Sequence, residues 1–466
     1  MTQTRQLFGT DGIRGVAGEF PLTRDSVYWI GWALGHDLVR VNAKARVVIG
    51  QDTRVSSRWI ADRFLQGLAS VGVETRSAGV ITTPGVAFLA RSQGFDAGVV
   101  ISASHNPWTD NGIKIFSGDG YKLPDARALA IEREIFALLR SDAVAAPEST
   151  PEVSSLPGEE SLRHAYVRWL AGAVSTDLSG LRVAVDCANG AATAEAPELF
   201  GALKIGTTFL HSAPDGQNIN ENCGALHPEI VAYFVYESVA ADQVSGGEQG
   251  HFDVGVTFDG DADRALFCDA NGRVVNGDAV LLLAAREMQS RGVLANDTVV
   301  ATTMSNMGLE LALKRSGIQM QRANVGDKYV LEEMQRVGAT LGGEQSGHIL
   351  FRDGEATTGD GLLTALRVLE IMVRTGKPLA DLVGDLKVFP QTIRNVRVRE
   401  KLPFAQIPEV QAAITVAERE LDGNGRVVVR YSGTESLARV MIEAESKEHM
   451  DRLAESIVGS IQSALG

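Results

Sequence analysis

One local pattern recurs along this chain and limits its fold more than any other feature: a short β-branched run stops abruptly in small and polar residues. Val47–Ile49 runs into Gly50-Gln51-Asp52-Thr53-Arg54, and Gly98–Ile101 into Ser102-Ala103-Ser104-His105-Asn106-Pro107. Val183–Val185 runs into Asp186–Gly190, Val254–Phe258 into Asp259–Arg264, and Val299–Ala301 into Thr302–Asn306. A helix-like amphipathic stretch follows each. Strand-then-helix repetition predicts α/β domains with parallel or mixed sheets. Ligands of such sheets gather at the carboxyl ends of the strands, where all these polar residues fall.

A chain of 466 residues holds roughly three or four domains of about 100–200 residues. Ser141–Glu160, with Pro147, Pro151 and Pro157, reads as a linker. The Gly/Gln-rich stretch Ser245–Gly250 and the segment Lys377–Pro390 mark two further boundaries. The expected division is 1–155, 156–252 and 253–380 as three α/β domains, then 381–466 as a smaller α+β domain. In the last, Arg426–Arg430 and Arg439–Glu443 alternate as strands and Lys447–Leu465 closes as a helix.

The formal net charge of −14 disfavours nucleic acid and acidic membrane surfaces. An anionic substrate would have to be drawn in by a local cluster of Lys and Arg. No run approaches the roughly 18 apolar residues of a membrane helix, and Met1–Arg14 lacks the apolar stretch of a signal peptide. The cytoplasm is the expected compartment. Cys187, Cys223 and Cys268 are odd in number and far apart, so free thiols are expected rather than disulfides or a zinc site.

Asp259-Gly260-Asp261-Ala262-Asp263 places three carboxylates at alternate positions, where they can converge on one hard cation such as Mg²⁺. An acidic surface turn is the bland alternative. An EF-hand fails, because Arg264 and Ala270 stand where that loop needs Gly and Glu. Arg264 directly after the carboxylates suggests a phosphate beside the metal. Ser104, at a strand end before His105, reads by itself as an ordinary turn residue. The nearby Asn111-Gly112-Ile113-Lys114 raises it, since Lys114 could serve as acid/base or phosphate partner; a solvated strand lysine is an equal reading. Arg430-Tyr431-Ser432-Gly433-Thr434-Glu435, with Arg439, offers arginines, hydroxyls and backbone N–H groups to an unreacting phosphate, or is simply a hairpin turn. Glu344-Gln345-Ser346-Gly347-His348 offers donors and acceptors suited to sugar hydroxyls, although His348 alone is more often structural. A Walker-type phosphate loop, a Gly-x-Gly-x-x-Gly fingerprint and a His-Glu-x-x-His motif are absent from the sequence.

Taken together, Phe8–Gly15, Ser102–Pro107, Asp259–Arg264, Gly343–His348 and Arg430–Glu435 resemble the α-D-phosphohexomutase family nearly end to end. The resemblance implies four domains around a central cleft, each lending a loop. Ser104 would carry a phosphate and, with Asp259, Asp261 and Asp263, bind Mg²⁺. Lys114 would be the acid/base candidate, with His105, Arg264 and His348 in support and Arg14 steadying the catalytic loop. Glu344, Ser346, Gly326, Asp327 and Lys328 would meet the sugar; Arg430, Ser432, Gly433, Thr434 and Arg439 would clamp the distal phosphate. The implied partners are a hexosamine phosphate and a hexose bisphosphate intermediate, and the resemblance is compatible with a homodimer. Gln345, Thr357–Gly361, Met304–Gly308 and Val325–Val330 favour the glucosamine-phosphate branch over the glucose and mannose branches. Lys328 in place of arginine, Ser436 in place of proline, and the insertion around Gly246 depart from the pattern. A sugar-phosphate-binding regulator and a metal-dependent phosphatase using Asp259 as nucleophile are the rivals from other classes.

Overall fold

A computed structural model describes residues 7–9, 11–140, 157–245, 251–352, 354, 356–432 and 436–466, with the backbone alone over 240–245. Most of the expected linker, the Gly246 insertion, Gly433 and Thr434 lie outside the described residues. Residues 1–304 with 320–383 form one compact unit, and 305–319 with 384–466 form a second.

The first unit opens with β1 (Ile13–Val16), α1 (Arg24–Val39), β2 (Arg46–Gln51), α2 (Val55–Ala69), β3 (Glu74–Val80) and α3 (Thr83–Ser92). It continues with β4 (Ala97–Ile101), β5 (Asp110–Ser117) and α4 (Asp125–Leu139). The sheet order is β1-β5-β4-β2-β3. Strands β4, β2 and β3 are parallel, while β5 returns antiparallel to both β4 and β1. The β-branched runs 47–49 and 98–101 are therefore strands as expected, buried on both faces as parallel strands require. The segment after Ser104 is not the expected helix. Its alternation of apolar and polar residues makes it a strand, and it closes a hairpin on β4.

After α5 (Glu160–Gly172), the second sheet repeats that plan with β6 (Arg182–Asp186), α6 (Ala192–Ala202), β7 (Gly206–Leu210), α7 (Pro228–Ser245), β8 (Val254–Phe258), β9 (Ala265–Asp269) and β10 (Val274–Val275). Its order is β10-β9-β8-β6-β7, with β7, β6 and β8 parallel and β9 antiparallel to β8. A domain boundary at 252/253 would cut this sheet. Val254 pairs with Val183, so the Asp259–Asp263 loop belongs with the second sheet rather than the third domain. Hydrogen bonding across the sheet outweighs the loop-like composition of Ser245–Gly250 that suggested the boundary.

The third sheet follows from α8 (Gly277–Ser290) and β11 (Thr298–Thr302). Next come α9 (Met307–Arg315, within the second unit), β12 (Gln319–Ala323), α10 (Asp327–Val337), β13 (Leu341–Gly343), β14 (Ile349–Phe351), α11 (Gly361–Thr375) and α12 (Leu379–Val383). The order is β12-β11-β13-β14; β13 runs parallel to β11 and turns back antiparallel as β14. Helix α11 starts on Asp360, whose carboxylate accepts from Leu363 N–H, and stops at left-handed Gly376.

In the second unit, β15 (Gln391–Arg397), α13 (Pro408–Leu421), β16 (Gly425–Tyr431), β17 (Leu437–Ala444) and α14 (Lys447–Leu465) build an antiparallel sheet of order β15-β17-β16. An apolar core including Val440, Ile442, Leu453 and Ile457 joins sheet to helix. Buried Glu443 gathers Arg426 Nε (2.6 Å), Gln391 Nε2 (3.0 Å) and Met307 N (3.0 Å). Among the described residues, no helix is long and apolar enough to cross a membrane.

Candidate functional site

In each of the three α/β sheets the expected site residues fall on the same structural feature: the loop where the last parallel strand turns back into an antiparallel one. The β4–β5 loop carries Ser104, the β8–β9 loop carries the three aspartates, and the β13–β14 loop carries Glu344 and His348. The first two loops meet directly. Ser104 Oγ donates to Asp259 Oδ2 at 2.5 Å, and ligand atoms of Asp259, Asp261 and Asp263 lie within 4.8 Å of one another. All three carboxylates are buried, so they are not an acidic surface turn.

Lys114 is only 2% exposed, which rules out a solvated strand lysine. It lies inside the first sheet, on β5, and its Nζ reaches Asp261 at 2.7 Å, Asp11 at 3.0 Å and Asp263 at 3.3 Å. Burial alone would lower its pKa, but the three carboxylates outweigh that and hold it well above the ordinary value. Burial would likewise raise Asp263; Lys114, His348 and Arg264 instead hold it well below. Burial and the neighbouring Asp263 and Asp261 push Asp259 up to about 8. The Arg264 guanidinium and the Ser104 hydroxyl pull it downward but do not prevail.

Asp261 Oδ1 and Asp263 Oδ1 are buried and accept no hydrogen bond. Orphaned oxygens in a crowded all-oxygen set are what a hard divalent cation would satisfy, so the residues fit one. In a second group of ligand-type residues, Asp186, His211 and Cys223, the carboxylate is already engaged. Asp186 accepts from Ala188 N at 2.8 Å and Gly224 N at 3.0 Å, with His211 Nδ1 at 3.1 Å.

Beside the carboxylates opens a cavity of 390 Å³, lined by Asp11, Arg14, His105, Asp263, Arg264, Gly326, Asp327, Glu344 and His348 among others. His348 Nδ1 stands 3.6 Å from Asp263. Burial opposes its protonation, but Asp263, Asp327 and Glu344 lift its pKa to about 9. His105 goes the other way, to about 4, through burial and the Arg264 and Arg14 guanidiniums. Its Nδ1 is 3.3 Å from Ser104 Oγ.

Not every expected residue joins this cavity. Ser346 and Lys328 are absent from its lining. Lys328 faces a neighbouring cavity of 530 Å³ and pairs with Asp125. Gln345 donates to Asp278 at 3.2 Å. In the second unit, Arg430 stands directly opposite Arg439 on paired strands. Ser432 is buried next to them. Asp11 and Lys122 were missed as site residues. Asp11 pairs with Arg14, Lys114 and Lys122, and Lys122 reaches on to Asp327. Asp11 lies inside the Phe8–Gly15 motif that carries part of the family resemblance, which was a usable signal; Lys122 had none.

Models of the four phosphoglucomutase/phosphomannomutase domains match in order: α/β/α domain I at residues 5–141, domain II at 164–272, domain III at 276–389 and the C-terminal domain at 394–460. The chain belongs to the phosphoglucomutase/phosphomannomutase family. A phosphoglucosamine mutase of Koribacter versatilis is 60% identical over 463 residues, covering 99% of this chain and 98% of that protein. Among solved members of the family, a protein from Burkholderia thailandensis is 25% identical with a TM-score of 0.78, covering 98% of this chain and 97% of the other. The Aspergillus fumigatus N-acetylphosphoglucosamine mutase, solved with GlcNAc-6P and magnesium, shares the fold at 21% identity and a TM-score of 0.62 over 99% and 96% of the two chains.

The shifted groups of this mutase-family site make its stability depend on pH and metal. A group whose folded pKa exceeds its unfolded value stabilises the fold at low pH, and that stabilisation is lost as pH rises through the folded value. For His348 the window runs from 6.5 to about 9, and for Asp259 from 3.8 to about 8. His105, shifted from 6.5 down to about 4, opposes them only below 6.5. The metal-free protein is therefore expected to lose thermal stability between pH 6.5 and about 8, and Mg²⁺ to flatten that fall. Melting curves over that range with chelator and with Mg²⁺ check it; parallel curves would refute it.

Proposed function

We propose that this chain interconverts glucosamine 6-phosphate and glucosamine 1-phosphate through a phosphoserine at Ser104 and a bisphosphate intermediate. The observation that carries the reading is the Ser104 hydroxyl on a buried carboxylate triad, at the edge of a cavity rimmed by Arg14, Arg264 and His348. The 60% identical phosphoglucosamine mutase supports the amino sugar over glucose or mannose. Asp259, Asp261 and Asp263 would hold Mg²⁺, which when bound would neutralise charge on the phosphoryl group.

Phosphate monoesters hydrolyse very slowly without help, so a phosphate parked on Ser104 is stable until a sugar hydroxyl is aligned with it. In the forward step the bond from phosphorus to Ser104 Oγ breaks as the bond to the sugar oxygen forms, and a proton passes from that hydroxyl to Ser104 Oγ. Lys114, held protonated, contributes fixed positive charge beside the transferring group. His105, neutral at physiological pH and 3.3 Å from Ser104 Oγ, can relay the proton, its low pKa making it a weak base rather than a proton store. His348 stays protonated and, with Arg264, balances Asp263. Gly326, Asp327 and Glu344 present backbone and carboxylate groups to sugar hydroxyls. The bisphosphate then turns over, and the opposite phosphate returns to Ser104. Arg430, Ser432, Gly433, Thr434 and Arg439 would take the unreacting phosphate.

A coupled assay of the Ser104-phosphorylated protein with glucosamine 6-phosphate, glucose 1-phosphate and mannose 1-phosphate tests the reading. The amino sugar should be turned over best, and chelation should abolish turnover. Preference for glucose or mannose phosphate would overturn the substrate; release of free phosphate without isomerisation would overturn the mutase.

A further inference from the structure

Ser104 has a left-handed backbone, with φ of 53°, which non-glycine residues seldom adopt. Something must hold it there. Its carbonyl oxygen accepts from two side chains outside its own loop, Arg54 Nη2 at 3.0 Å and Asn220 Nδ2 at 2.9 Å. The carbonyl of Asn106 accepts from the same two nitrogens, at 2.5 and 3.2 Å respectively. Two donors thus bridge two carbonyls on either side of His105 and fix the turn from behind.

Both donors are themselves held. The Arg54 side chain is fully buried and paired with Asp52. Asp52 Oδ1 also accepts from Ser57 Oγ at 2.7 Å and from Arg54 N at 3.0 Å. A buried ion pair contributes little net stability for its desolvation, so orientation is the better account of this one. Asn220 comes from the second α/β domain, anchored by its own N–H on Ala188 O at 2.9 Å. The metal loop rests on the same feature: a Cβ at Gly260 would lie 2.5 Å from Ser104 O and 2.8 Å from Asn220 Nδ2.

We propose that Arg54 and Asn220 are positioning residues, a carbonyl clamp that aims Ser104 Oγ and the phosphate it carries at the metal loop through both transfer steps. Neither lines the substrate cavity, so they act through the loop. The proposal rests on the phosphoserine chemistry above and deepens it. When the clamp is released, the two carbonyls can rotate and Oγ leaves its 2.5 Å contact with Asp259. Chemistry then slows while sugar binding does not.

The test uses the full chain with Asn220→Ala, the isosteric Asn220→Asp, which exchanges the donor for an acceptor, and Arg54→Lys. We expect kcat to fall about 10- to 100-fold, with KM within roughly threefold of the parent. The phosphoserine ³¹P resonance, recorded without sugar, should shift or broaden. Exchange of the Asn106 amide, bonded to Ala103 O, should speed up roughly tenfold or more as the turn opens. If Arg54→Lys does not fold, the two Asn220 variants decide. Unchanged kcat and unchanged amide exchange in a folded Asn220 variant would overturn the clamp, as would a rise in KM alone. Because the amide exchange needs neither sugar nor phosphate, a wrong substrate or an unphosphorylated Ser104 is told apart from a wrong clamp.

Discussion

Ser104→Ala is expected to cut isomerisation by roughly 10⁴-fold or more while leaving the fold in place. Ser102, the nearest hydroxyl in sequence, has its Oγ turned back to accept from Ser104 N at 3.0 Å. Alanine meets the left-handed backbone at position 104 on the same terms as serine, so the substitution adds no backbone problem of its own. What it removes is the hydroxyl proposed to take up and give back phosphate, together with a hydrogen bond that favours the ionised form of Asp259. Turnover and intact mass after incubation with a hexose bisphosphate check it: the parent should gain one phosphate and the variant none. A variant that still isomerises within tenfold of the parent would remove Ser104 from the mechanism.

Lys114→Met should be the most damaging single change for the metal-free protein. Three carboxylates, those of Asp11, Asp261 and Asp263, approach its ammonium within 3.3 Å, in a site where lysine and triad are buried alike. Removing one partner from a buried ion pair costs about 3–5 kcal/mol, because the charge left behind has neither water nor counter-ion. Methionine keeps the length and volume of the side chain, so the loss reads charge rather than cavity. The unfolding midpoint in chelator should fall steeply, and Mg²⁺ should recover part of the difference by supplying positive charge to the same carboxylates. Turnover should collapse even with Mg²⁺ supplied, since the fixed charge proposed to lie beside the phosphoryl group is gone. A chelated variant that melts with the parent would mean that the carboxylates are not held by Lys114.

Much of this was legible before any coordinates. The β-branched runs at 47–49, 98–101, 183–185, 254–258 and 299–301 are strands, because β-branching and burial on both faces leave few other conformations for runs so short. The spacing Asp-x-Asp-x-Asp was enough to expect convergence, since alternate residues on a tight loop can point the same way. Lys114 was harder. Its neighbourhood alternates, yet nothing local says that β5 is covered on both sides, so a solvated lysine and a buried one look identical in sequence. The boundary at 252/253 failed for a related reason: loop composition at 245–250 is local, whereas β8 pairs with β6 some seventy residues earlier.

Order and identity of residues determined the strands, the loop chemistry and the four-domain family membership. Only tertiary structure decided that Lys114 is a buried counter-charge, that Asp11 and Lys122 join the site, and that Arg54 and Asn220 grip the Ser104 turn. The reason is physical. Hydrogen bonding and hydrophobic period act within a few residues and leave their mark on the sequence. Desolvation, ion pairing and backbone strain depend on which distant segments close over a group, and they exist only once the chain has folded.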